Sequence, residues 1–136
     1  MISKLSSFLG GVALTVALAL PAFAESKNEA VVQAFMQDMI NKHDISVADR
    51  IFAADFRDHT PIGDNRTVED FKGFAQAIFT GFPDVVVNYA ALVSEGDKIT
   101  VRSKVQATHK GEFFGVPATG RSVKWTELHV FRIKDG

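Results

Sequence analysis

Residues 98–109, KITVRSKVQATH, alternate without a break between two kinds of side chain. Ile99, Val101, Ser103, Val105, Ala107 and His109 fall on one face, while Lys98, Thr100, Arg102, Lys104, Gln106 and Thr108 fall on the other. Successive side chains of a strand point to opposite faces, so this spacing predicts a strand with one buried and one wet side. Such a strand belongs in an antiparallel sheet covered on a single face. The rest of the chain must therefore supply partner strands and a layer to cover Ile99, Val101 and Val105.

The partners are readable on either side. Residues 84–93 are dense in Val, residues 94–97 (SEGD) make a turn, and residues 121–134 form a third long strand after the Gly- and Pro-marked connection KGEFFGVPATG. Asp135-Gly136 then has the residue types of a tight type I′ hairpin turn. The cover comes earlier. Over residues 27–42, Val32, Phe35, Met36, Met39 and Ile40 recur at helical spacing. Ser46 with Asp49 resembles a capping box opening a short helix through Ile51 and Phe52. Thr67 with Asp70 repeats the pattern before Phe71, Phe74, Ile78 and Phe79, and Gly81 and Pro83 end that helix. Between these helices, FRDHTPIGDN reads as a short strand over 56–59 followed by a loop. Helices grouped before antiparallel strands predict an α+β fold, with the helices packed on one face of a curved sheet.

Residues 1–24 stand apart from this pattern. A lysine at position 4, an apolar run from Phe8 to Leu20 and Ala22-Phe23-Ala24 have the layout of a secretory signal peptide cut before Glu25. The run is shorter than the ~20 residues a spanning helix needs. The expectation is a periplasmic or secreted domain formed by residues 25–136. Loss of Lys4 takes the formal charge from −1 to −2, which gives no electrostatic reason to expect nucleic acid, or a membrane once the leader is removed. The chain has no Cys, which excludes disulfides, thiol catalysis and thiolate metal sites. Its 12 Phe exceed what is usual for so short a chain, and they can fill a core or line an apolar pocket.

Chemistry-bearing residues gather on the third long strand. Val123, Trp125, Glu127, His129 and Phe131 share one face, and Lys124, Thr126, Leu128, Val130 and Arg132 share the other. Both faces are mixed, so alternation alone does not say which is covered. Glu127 and His129, two residues apart, project the same way, which lets a carboxylate tune an imidazole; a solvated pair or a satisfied buried hydrogen bond would look the same in sequence. His109 ends the apolar face of residues 98–109, where a histidine more often packs or turns than catalyses. Asp58 and His59 are adjacent, so at most one of them faces a given cavity. A zinc site would have to draw His59, His109 and His129 from three elements with no compact ligand motif, so no metal is expected.

The segments FRDHTPIG, THKGEFFGVPATGRSVKW and ELHVFRIKDG, in this order after an amphipathic helix, resemble the SnoaL-like polyketide cyclase or ester cyclase family. The resemblance implies a nuclear transport factor two-like fold, a cone-shaped α+β barrel of the cystatin-like kind. In it a strongly bent antiparallel sheet and N-terminal helices enclose a deep apolar pocket. It also implies a further central strand after the Asp-Gly turn, carrying an acid/base Asp opposite a His that matches His129 and a polar residue that matches Glu127. That final strand is missing from the sequence, and the expectation is of a C-terminally incomplete domain.

Two functions follow from these readings. In the first, His129 assisted by Glu127 performs acid/base chemistry on a carbonyl compound, an aldol-type cyclisation or related proton transfer that needs no cofactor. Trp125, Phe74 and Phe113 serve as ligand-contacting walls, with His109 and His59 near the rim. In the second, the same fold only binds its ligand or dimerises, because a fold does not fix a function. The expected partners are a small apolar molecule and, for the full-length chain, a second copy of itself.

Overall fold

The computed structural model describes residues 27–60 and 63–136, with only the backbone of residues 64, 65 and 90–92 described. The leader expected over residues 1–24 lies outside the described residues. Among the described residues no helix is long and apolar enough to cross a membrane.

The first helical segment begins as α1 (Lys27–Gln33) and continues as a π-helix over Ala34–Asn41. Of the apolar positions predicted for it, Val32, Phe35, Met36 and Met39 are buried and Ile40 is half-buried against them. Lys42 N–H closes the wider turn by donating to the Gln37 carbonyl, five residues back. At its end the Asn41 amide clamps the sheet, donating from Nδ2 to the Val87 carbonyl at 3.0 Å and accepting from the Val87 N–H at 2.7 Å. Val87 thereby finds partners on the side facing away from β4.

Next come a short 3₁₀ turn (Ile45–Val47) and α2 (Ala48–Ile51). The expected capping box of Ser46 and Asp49 does not form. Asp44 caps instead, accepting from the Ser46 N–H at 3.0 Å and the Ser46 hydroxyl at 2.6 Å, because an Asp two residues upstream reaches the same donors in an Asx turn. That bond holds the Asp44 carboxyl below its ordinary value. The stretch read as one short strand and a loop is two strands, β1 (Asp58–Thr60) and β2 (Gly63–Arg66), paired antiparallel with Asp58 opposite Arg66.

Helix α3 (Val68–Gly81) starts on the capping box predicted for Thr67 and Asp70. The Asp70 carboxylate accepts from the Thr67 hydroxyl at 2.7 Å and the Thr67 N–H at 3.0 Å, and these bonds lower its pKa. The helix ends at Gly81 with Phe82 as its C-cap, just before Pro83.

Strands β3 (Val86–Glu95), β4 (Lys98–Thr108) and β5 (Ser122–Arg132) form an antiparallel sheet in the order β3-β4-β5. Burial on β4 alternates as predicted: Ile99, Val101, Ser103, Val105 and Ala107 are buried, and the residues between them face out. The sheet is open, and among the described residues no strand pairs with the second edge of β5. Val32, Phe35, Met36 and Met39 from the helical segment, Val47 and Ala48 from the turn and α2, and Ala75 and Phe79 from α3 cover this face. Much of the Phe content fills the interior. Phe35 meets Phe131 edge-on at 5.4 Å and lies 6.0 Å from Phe52 and 5.9 Å from Phe71, and Phe56 stacks on Phe52 at 4.1 Å. Edge-to-face and offset packing of this kind is how phenyl rings pack most favourably.

Candidate active site

The β4–β5 register settles which face of β5 is covered. Trp125 lies opposite Val105, Glu127 opposite Ser103 and His129 opposite Val101, so these three share the face on which β4 carries its buried side chains. Trp125 is exposed and Glu127 and His129 are half-buried, because β5 borders the open edge of the sheet: the side chains of Glu127 and His129 are 34% and 32% accessible.

Within this row Glu127 is the hub. Its Oε1 accepts from Trp125 Nε1–H at 2.6 Å, and its Oε2 lies 2.9 Å from His129 Nε2. Burial pushes the Glu127 pKa up, but the hydrogen bonds from His129 and Trp125 and the nearby charge of His129 outweigh it, leaving the carboxyl below its ordinary value. At neutral pH Glu127 is therefore ionised and can only accept, so His129 must donate from Nε2. That fixes the neutral ring as the Nε2–H tautomer and leaves the Nδ1 lone pair free to take a proton. The ring is also held flat, 5.6 Å from Phe131 and inclined by 16° to it. A carboxylate that orients an imidazole and stabilises its cation is the arrangement a general base requires.

The other sequence-predicted residues lie elsewhere. His109 is six residues from Ser103 along β4, about 20 Å at the usual strand rise. It is buried and stacked on Phe82 at 5.1 Å, with Nδ1 3.1 Å from Thr119 Oγ1. Its backbone N–H donates to the Arg121 carbonyl and its carbonyl accepts from the Gly120 N–H, so it closes the base of the loop between β4 and β5. Phe113 packs edge-on against Phe82 at 5.1 Å in the same loop. Phe74 lies under the Arg66 guanidinium, 4.2 Å from ring centre to Cζ. His59 is exposed on β1. The structure thus brings Trp125, Glu127 and His129 together, links His109, Phe113 and Phe74 by ring contacts through Phe82 and Phe114, and places His59 on β1.

The described surface carries open clefts. One, of about 370 Å³, is bordered by Lys104, Lys124 and Trp125; another, of about 440 Å³, is bordered by Arg66, Gly73, Phe74 and Phe114. Neither is lined by Glu127 or His129. Among the described residues no group of three His, Asp or Glu could hold a metal ion. Sequence reasoning missed Ser103 as the neighbour of Glu127, because a serine in an apolar alternation reads as a tolerated small residue. It also missed Arg66, which comes close to Phe74 only through the β1–β2 pairing.

The profile of the SnoaL-like polyketide cyclase family matches residues 30–136. Among solved structures, a candidate SnoaL-like polyketide cyclase from Jannaschia sp. CCS1 is 25% identical, with a TM-score of 0.70 over 80% of this chain and 78% of its own. AclR, a candidate hydroxylase from Streptomyces galilaeus, is 26% identical, with a TM-score of 0.72 over 83% of this chain and 74% of its own. Wild-type IdmH, a candidate polyketide cyclase from Streptomyces antibioticus, is 27% identical, with a TM-score of 0.67 over 82% of this chain and 86% of its own. No curated protein matches.

Proposed function

Because the chain belongs to the SnoaL-like polyketide cyclase family, we propose that it binds a small apolar carbonyl compound beside His129 and moves a proton at the carbon next to the carbonyl. One observation carries the reading: Glu127 accepts from Trp125 and His129 at once, which holds the imidazole with its basic nitrogen turned away from the carboxylate. His129 Nδ1 takes the proton, the C–H electron pair passes into the carbonyl to form an enolate, and Glu127 stabilises the imidazolium. The enolate carbon then attacks a second carbonyl of the same molecule, whose oxygen takes the proton from the imidazolium, or the carbon takes that proton back. A carbon flanked by two carbonyls is acidic enough for one positioned base to suffice, so these residues ask nothing of a cofactor. Trp125 and Phe131 supply the apolar surround. The leader-like residues 1–24 favour export before the domain meets its ligand.

The test is deuterium exchange at the central carbon of benzoylacetone, an apolar diketone, followed by proton NMR. Wild-type protein should accelerate exchange over buffer, and His129→Ala should lose about a hundredfold or more of that acceleration. Equal rates for wild type and His129→Ala would favour the rival reading, a pocket protein that binds without catalysis.

A further inference from the structure

The loop between β4 and β5 spends conformational energy at a place the proposed chemistry does not use. Phe113 and Val116 exchange two backbone hydrogen bonds of 3.0 Å across a two-residue turn, in which Phe114 has φ 46° and Gly115 has φ 80°. Two positive φ angles mark a type I′ turn, and its first central position suits Asn, Asp or Gly. A bulky side chain there is strained. Phe114 is also 62% exposed, so the turn holds an aromatic ring out into water.

The ring is not pointed at random. It stacks against Phe74 of α3, with centroids 6.1 Å apart and planes inclined by 20°. Together with Arg66 and Gly73 the two rings border the 440 Å³ cleft, a volume within the range of small-molecule sites. Gly73 is a second departure from what folding prefers. It sits inside α3, where glycine is unfavourable, yet a Cβ at this position would meet nothing within 4 Å. Arg66 is the third. Its side chain is only 13% accessible, and it is anchored by Nε to Asp58 Oδ2 at 2.8 Å and by Nη2 to Thr60 Oγ1 at 2.8 Å. Its Nη1 makes no hydrogen bond among the described residues.

We propose that this cleft is a second binding site, for a flat uncharged ring carrying a hydrogen-bond acceptor, which lies in the cleft against Phe74 and Phe114 and takes a hydrogen bond from Arg66 Nη1. Charge selects a neutral ligand. Asp58 already neutralises Arg66, and Asp70, ionised because its pKa is lowered by the cap, lies on the same wall. An anion entering the cleft would meet more carboxylate than guanidinium. The site is separate from the Glu127–His129 pair, whose residues do not border it.

The probe is prodan, a flat naphthyl ketone whose fluorescence shifts to the blue in apolar surroundings. Wild-type protein should bind it saturably with a blue shift. Naphthoate, the anionic counterpart, should compete at least about tenfold more weakly than neutral acetylnaphthalene. Gly73→Leu fills the cleft with a good helix former and should weaken prodan by about tenfold or more. Phe114→Asn should do the same while raising the melting temperature, because Asn suits the turn; misfolding then cannot explain the loss. His129→Ala should bind within about twofold of wild type, which separates this site from the proposed catalytic one. No saturable blue shift, or wild-type affinity in both cleft variants, would overturn the proposal. Loss of binding in His129→Ala alone would overturn it too, since the probe would then sit on β5.

Discussion

Ser103 and Glu127 face each other across the β4–β5 ladder, and only one of them has its hydrogen bonds met. The Glu127 carboxylate accepts from two side chains, while the Ser103 hydroxyl, fully buried, has no partner among the described residues. An unsatisfied hydroxyl in an apolar wall carries a desolvation cost of about 1–3 kcal/mol. Ser103→Ala should therefore raise stability by about 1 kcal/mol, measured by urea unfolding. A loss of similar size would show that the hydroxyl is bonded after all.

Gly73→Ala should also stabilise, by about 0.5–1 kcal/mol, because alanine restores helix propensity at a position with open space around the new methyl group. Thermal unfolding would report a rise in Tm. A fall would mean that α3 needs glycine there for its own packing.

Asn41→Ala should be costly. The side chain satisfies both polar groups of Val87 from the helical layer, and its removal strips a buried strand position of a donor and an acceptor. A loss of about 2 kcal/mol is expected, with faster amide exchange at Val87. Unchanged exchange at that amide would refute the clamp.

The Glu127 pKa sets a pH signature. Folding lowers it, so the stabilisation from Glu127 is fully present above its ordinary value of 4.5 and is lost as pH falls through the lower folded value. The Tm gap between wild type and Glu127→Gln should therefore be widest near neutral pH and close as the solution is taken well below 4.5. A gap that widened on acidification would mean that the folded protein prefers the protonated acid.

What the sequence disclosed follows the range of the interactions involved. The Thr67–Asp70 box is legible because donor and acceptor lie three residues apart and nothing nearby competes. The same motif at Ser46–Asp49 misleads because Asp44 reaches Ser46 first. The π-winding of Ala34–Asn41 leaves no mark on the apolar spacing, which suits either helix. The Trp125, Glu127 and His129 row is legible because strand parity puts it on one face, but the choice of face needed the pairing with β4. The cleft at Phe74 was out of reach of local patterns, since Arg66, Gly73 and Phe114 come from a strand, a helix and a loop.

The proposed proton transfer requires Glu127 to hold His129 as the Nε2–H tautomer with Nδ1 free. Long-range proton–nitrogen correlation spectra of selectively histidine-labelled protein at neutral pH measure this directly. Wild type should show Nε2 protonated and Nδ1 bare at His129, and Glu127→Gln should lose that bias. A wild-type ring protonated at Nδ1, or one whose tautomer is indifferent to Glu127→Gln, would contradict the role given to both residues.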